Sequence, residues 1–182
     1  MAQDAPNTVF LAGDEAGLYL QTTTCYVWSP TGQTPIVPAD PGRAKTNFYG
    51  ALNLHNGQEI AMRSDLMNAE ISAQYLEMIL DANPDLPIVL LWDRAPWHRG
   101  KSISKVLEEN PCLEIIFFPT ASPDLNPQEH VWKAVRKQVS HNHLEARLPQ
   151  LADRFLHQLK STISKDTFLD RYGYNPFCPL FI

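Results

Sequence analysis

The sequence predicts an α/β fold, a five-stranded mixed sheet flanked by helices, and three observations carry that prediction. Continuous apolar runs bounded by breakers recur over residues 8–15, 87–93 and 113–118. Runs of this kind read as strands buried on both faces, as in mixed or parallel sheets. An Asn56-Gly57 pair separates two further extended stretches, which is a strong hairpin signal. Between the strands lie segments whose apolar residues recur at helical spacing.

Taken in order, residues 8–15 make the first strand, apolar and then acidic at Asp14 and Glu15, and Ala16-Gly17 is expected to stop it. From 18 to 38 the aromatics Tyr19, Tyr26 and Trp28 alternate with Thr, Gly and Pro. Short extended pieces are expected there, with a turn at Ser29-Pro30-Thr31-Gly32. Strands over 48–54 and 59–63 flank the hairpin turn. A helix follows, N-capped by Asn68, with Ile71, Tyr75, Leu76 and Ile79 at helical spacing, and stops near Asn83-Pro84. The 87–93 strand opens on Pro87 and releases its first polar side chain, Asp93, at its carboxyl end. Open α/β sheets bind ligands and metals at that edge. A short helix over 102–109, a strand over 113–118 and a Pro-rich loop over 119–127 lead to a helix starting near Asn126. A last amphipathic helix spans 144–163, with Leu148, Leu151, Phe155, Leu159 and Ile163 on one face. Residues 1–165 thus form one domain and 166–182 a loosely packed tail. A three-strand antiparallel meander joined by two strands on helical crossovers is the ribonuclease H-like order.

The 182 residues suffice for one well-buried domain, and 44% hydrophobic with 19% charged residues is ordinary for a globular protein. No apolar run reaches the length of roughly 20 residues that a membrane-spanning helix needs. The start, Met1-Ala2-Gln3-Asp4, lacks the features of a signal peptide. Cys25, Cys112 and Cys178 are odd in number and far apart, which reads as reduced cytosolic thiols. A net charge of −5 argues against a free-standing DNA-binding module. It leaves open an active site that handles nucleic acid through metal ions.

The acids make such a site plausible. If the first strand and the 87–93 strand are neighbours, Asp14 and Asp93 lie side by side. A third acid then comes from the helix opened by Asn126 as N-cap and Pro127 at the first position, with Glu129 in its first turn. Three carboxylates at one sheet edge either raise their pKa values or bind cations. Hard oxygen ligands suit Mg²⁺ or Mn²⁺, and two such ions can drive phosphodiester chemistry. Each acid also has a plainer reading. Glu129 fits a carboxylate reaching back to the Asn126 amide, and Asp14 and Asp93 fit polar strand ends.

The stretch Ser122-Pro123-Asp124-Leu125-Asn126-Pro127-Gln128-Glu129-His130-Val131-Trp132-Lys133 resembles the motif that closes the catalytic domain of insertion-sequence transposases. The group is insertion sequence family 630, related to the Tc/mariner-like elements. The Asp14-Glu15 pair matches the first acid, Asp93 followed by His98 the second, and Glu129 the last. The resemblance runs from about Val9 to Leu159. It implies a DDE-type transposase catalytic domain with the ribonuclease H-like fold, using two Mg²⁺ or Mn²⁺ ions held by Asp14, Asp93 and Glu129. The implied reaction frees 3′-hydroxyls at transposon ends and joins them to target DNA. Family members generally carry N-terminal helix-turn-helix modules, whereas this chain begins almost at the first strand. The expected partners are therefore DNA, a separate helix-turn-helix protein or domain and a second copy of the chain, in a cytoplasmic, nucleoid-associated setting. Many members have Asn after the second Asp, where this chain has Arg94.

Around the acids, His98 is expected to touch the scissile phosphate or to hold its loop by a hydrogen bond. Lys133, Arg136 and Lys137 fall on the Glu129 side of their helix, which suits a DNA backbone track or a solvated face. Arg94 and Arg99 belong to a second basic cluster, with Lys101 and Lys105. Trp97 is expected to pack on the fold, and Trp132 to face the core. Two further readings compete. One is a domesticated or truncated remnant that binds nucleic acid or protein without catalysis. The other is a ribonuclease H-type hydrolase, for which Glu70 or Glu77 would supply a fourth acid.

Overall fold

The computed structural model describes residues 7–36, 43–120 and 123–164. Its architecture follows from alternation along the first strand. β1 (Val9–Tyr19) sends Ala12, Ala16 and Leu18 to one side of the sheet and Val9 and Leu11 to the other, all of them buried. A strand apolar on both faces needs a helical layer on each. The sheet has the order β3-β2-β1-β4-β5, with β2 (Lys45–Asn53), β3 (Glu59–Ser64), β4 (Ile88–Trp92) and β5 (Leu113–Phe117). β1, β2 and β3 pair antiparallel, and β4 and β5 add parallel strands. This is the predicted five-stranded mixed sheet.

One face carries α1 (Ala69–Ala82) and α2 (Lys101–Glu109). There Tyr75, Leu76, Ile79, Ile103 and Val106 pack on Tyr49, Ile88 and Leu90. The Asn68 side chain caps α1 by accepting from the Ile71 amide at 2.9 Å, as its sequence position predicts. The other face carries α3 (Pro127–Val139) and α4 (Leu148–Ser161), whose Val131, Trp132, Val135, Leu151 and Phe155 cover Phe48 and Leu52. Each fully buried large apolar side chain contributes about 1.5–3 kcal/mol. Among the described residues no helix is long and apolar enough to cross a membrane.

Three elements differ from expectation. β1 does not stop at Ala16-Gly17 but runs to Tyr19, because antiparallel pairing with β2 continues as far as Tyr19 against Lys45. Asp14 therefore sits inside a strand rather than at its end. The hairpin loop between β2 and β3 spans 54–58, one residue longer than the expected 55–58, because β2 ends at Asn53. Its Asn53 side chain accepts from the His55 and Asn56 amides, and Gly57 adopts φ +71°. The last helix starts at Leu148 rather than 144, with Arg147 in the extended N-cap conformation. The 166–182 tail, including Cys178, lies outside the described residues.

Candidate active site

Strand register assembles the first pair of acids. β1 and β4 pair in parallel up to Ala12 against Leu91, a register that, continued for two residues, sets Asp14 level with Asp93 where β4 leaves the sheet. Side-chain alternation then separates Asp14 from its neighbour Glu15. Asp14 faces α3, and Glu15 faces the α1 side.

Two hydrogen bonds fasten α3 over Asp14. The N-cap Asn126 accepts from the Gln128 amide at 3.1 Å with its oxygen, and its amide nitrogen donates to the Gly13 carbonyl at 3.2 Å. One turn beyond Glu129, the Trp132 indole donates to Asp14 Oδ2 at 3.0 Å. Asn126 thus does the capping itself. Among the described residues the Glu129 carboxylate makes no bond back to the Asn126 amide, and its charge is felt at Asp14 instead. Burial first, and then the charges of Glu129 and Glu15, push Asp14 up to about 7, against the Glu15 amide and the Trp132 indole.

On the opposite face the charges are balanced. A turn of 3-10 helix, Pro96–His98, carries His98 back beneath Asp93. His98 Nδ1 lies 2.9 Å from Asp93 Oδ1 and 3.0 Å from the Asp93 carbonyl, while Nε2 lies 2.9 Å from both Glu15 oxygens. Trp97 donates its indole N–H to Glu15 Oε2 at 3.0 Å. Burial opposes a charge on His98, yet the bonds to Asp93 and Glu15 carry it up to about 9. It is an imidazolium at neutral pH, stacked on Trp92 at 3.6 Å, which favours the cation further. The His98 bond in turn lowers Asp93, against partial burial and with help from the Ala95 amide.

Among the described residues, the acids and imidazoles whose ligand atoms come within 4.8 Å of one another are Glu15, Asp93 and His98; Asp14 and Glu129 do not join them at that distance. We read this trio as an ion-paired clamp. An imidazolium has no lone pair to offer a metal, and both Glu15 oxygens are already taken by donors. Asp14 is buried against the Trp132 indole, and the Asp93 carboxylate is half-exposed.

The remaining predicted residues divide. His98 is buried with both nitrogens engaged, so the loop-holding role is the one realised and phosphate contact is not. Arg94 is exposed, with Nε donating to the Phe118 carbonyl at 3.3 Å and the guanidinium over the Phe117 ring. Arg99, Lys133 and Lys137 are exposed. Arg136 leaves the expected basic stripe and donates to the Gly17 carbonyl at 3.3 Å. Glu70 and Glu77 are exposed on the side of α1 turned from the sheet, which removes them as a fourth acid. Sequence reasoning missed the bonds made by Trp132 and Trp97. Their signal was present, since an indole N–H seeks a partner when buried, and each Trp lies within one turn of a chemically important residue.

Comparison with known proteins agrees with this fold. The family model described as DDE superfamily endonuclease matches residues 9–152. The 39 kDa protein of insertion element IS630 from Shigella sonnei is 24% identical over 152 residues, 81% of this chain and 43% of that protein. The chain therefore spans less than half the length of this relative. The Mos1 strand transfer complex superposes with a TM-score of 0.64 at 18% identity, covering 90% of this chain and 50% of that one. The Mos1 mariner paired-end complex with Mn gives 0.62 at 17%, covering 88% and 50%. The catalytic domain of Mos1 mariner transposase gives 0.57 at 14%, covering 87% and 72%. At these identities the structures establish the ribonuclease H-like fold, while the match across most of the chain establishes the family: this protein belongs to the DDE superfamily endonucleases.

Proposed function

We propose that the chain is a transposase catalytic domain that cleaves phosphodiesters at transposon ends and joins the freed 3′-hydroxyls to target DNA. Asp14, Asp93 and Glu129 are its acids. The observation that carries this reading is Asp14, buried between two like charges with its carboxyl pushed up to about 7. A carboxylate so placed is stabilised by a divalent cation more than by anything the protein supplies. The donor set is all hard oxygen, which fits Mg²⁺ or Mn²⁺, and solved Mos1 complexes carry Mn or Mg. Two such ions, when bound, supply Lewis acidity toward phosphate oxygens and lower the pKa of the attacking water or hydroxyl.

The chain's own residues do the rest by positioning. Trp132 fixes one Asp14 oxygen, and Asn126 fixes the helix that bears Glu129. His98 and the Ala95 amide both hold Asp93 Oδ1, so the Asp93 side chain has one settled orientation. Lys133 and Lys137 are placed to meet a phosphate backbone along α3. With a net charge of −5, the chain draws its affinity for the ends from elsewhere in our reading, from a helix-turn-helix module and from pairing in a homodimer.

Calorimetry of Mn²⁺ or Mg²⁺ on wild type and Asp93→Asn, with plasmid nicking followed in parallel, tests the proposal. Binding and nicking are both expected to collapse in the variant. A folded wild type that binds no divalent ion would overturn the enzymatic reading and leave a non-catalytic DNA- or protein-binding remnant.

A further inference from the structure

Beneath the first turn of α3 lies a second buried carboxyl that the mechanism above leaves unused. Glu59, the first residue of β3, is 9% exposed, and its Oε1 accepts from Gln128 Nε2 at 2.5 Å. Gln128 is wholly buried and immediately precedes Glu129 on α3. The contact bridges 69 residues and passes over Gly50 of β2. A Cβ at Gly50 would collide with Glu59 Oε1, Gln128 Nε2 and the Trp132 ring. Gly50 is also the β2 partner of Asp14. The sheet is hollowed here so that an edge-strand acid can reach the helix carrying Glu129.

The two remaining polar atoms of the pair decide its chemistry. Glu59 Oε2 and Gln128 Oε1 are both buried, and neither has a hydrogen-bond partner. An ionised Glu59 would make both atoms acceptors and leave two oxygens orphaned in the core. One proton on Oε2 provides the donor that Gln128 Oε1 lacks, and a small rotation closes the second bond.

We propose that Glu59 is a positioning residue that acts as a neutral carboxylic acid, closing an acid–amide ring with Gln128 and so fixing the turn of α3 that presents Glu129. The proposal rests on reading Glu129 as one of the reacting acids. Burial drives the Glu59 carboxyl well above its usual range, opposed only by the Gln128 bond. No cation offsets this with a bond to Glu59. From α3 it meets the uncharged Gln128 and Trp132, and from α1 the buried Tyr75 phenol, which donates to the Ile60 carbonyl. From α4, Lys160 lines the same cleft at the β3 edge.

The test compares Glu59→Gln, Glu59→Leu and Asp93→Asn with wild type as full chains. Glutamine keeps the ring, since its amide donates to Gln128 Oε1 while its carbonyl accepts from Nε2. At pH 7 wild type is expected to show the infrared carbonyl band of one protonated carboxylic acid more than Glu59→Gln, in which the Asp14 contribution remains. Glu59→Gln should melt higher than wild type, by a margin that opens as pH climbs above the ordinary glutamate value of 4.5 and closes below it. Glu59→Leu, folded by circular dichroism, should lose amide-exchange protection in the first turn of α3. It should also nick about tenfold more slowly through kcat, with DNA KM unchanged, and Glu59→Gln should rescue both properties. Loss of nicking in Glu59→Gln, with no acid band in wild type beyond that of the variant, would mean that Glu59 works as a charged carboxylate and would overturn the proposal. Unchanged exchange and nicking in Glu59→Leu would remove the positioning role. If wild type and Asp93→Asn nick alike, the nuclease reading falls, while the infrared band and the exchange pattern still decide the ring.

Discussion

Asp14 and Glu15 are neighbours on β1, and both carboxylates are buried, yet their surroundings are opposite. Glu15 meets an imidazolium and an indole N–H, so its charge is neutralised where it stands. Asp14 meets the Trp132 indole and the Glu15 amide, but burial first and then chiefly the Glu129 charge hold its proton up to about 7. The side of the sheet that is electrostatically complete is scaffold. The side that is incomplete is the one to which our proposal assigns a cation and a phosphodiester. One strand thus carries both functions by alternation alone.

Removing the acids that we propose hold the cation should have the largest effect. Asp93→Asn and Glu129→Gln are expected to lower metal-dependent nicking by about a thousandfold or more, equal to about 4 kcal/mol of barrier. The fold should survive, as seen by circular dichroism. Breaking the complete side comes next. Glu15→Gln leaves the His98 cation with only one of its two carboxylate partners and should reduce stability at pH 6 by about 3 kcal/mol in denaturant titrations. Because the folded His98 pKa is raised from 6.5 to about 9, the clamp's contribution is full below 6.5 and fades as pH rises through 9. The cost of Glu15→Gln should therefore shrink in alkaline buffer.

The reverse sign is expected at Asp14. Its pKa is raised from 3.8 to about 7, so wild type loses stability as pH climbs through that window when chelator is present. Asp14→Asn should be the more stable protein at pH 8 by about 2 kcal/mol, while failing to nick. A variant that melts lower than wild type there would sink the contrast between the two faces. Trp132→Phe keeps the packing and deletes one donor. About tenfold slower nicking is expected, with the rise of activity displaced to higher pH. Lys133→Ala should do least, lowering the slope of log affinity against log salt by about 1 in DNA titrations.

Much of this was legible in the residues. The apolar runs, the Asn68 and Asn126 caps and the placement of Glu129 in a first helical turn are local properties, and local physics decided them. The end of β1 was not local. Ala16-Gly17 looks like a breaker until β2 lies beside it and supplies ladder bonds to Tyr19. The site divided along the same line. That the Asp14 and Asp93 strands would be neighbours followed from strand order, whereas the Glu15–His98–Asp93 clamp depends on a three-residue 3-10 turn folding His98 back under the sheet. No periodicity announces such a turn. Arg136 shows the limit of helical-wheel reasoning, since it shares a face with Lys133 and Lys137 but reaches the Gly17 carbonyl.

Asn126 joins two events that most helices keep apart. The same side chain starts α3 and ties it to Gly13, 113 residues earlier in the chain. Loop closure over that distance is entropically expensive until the intervening strands have paired. The helix bearing Glu129 therefore secures its starting residue only as the sheet is completed. A nascent or partly unfolded chain has its acids scattered, and on our proposal the capacity to cut DNA emerges last, together with the finished core.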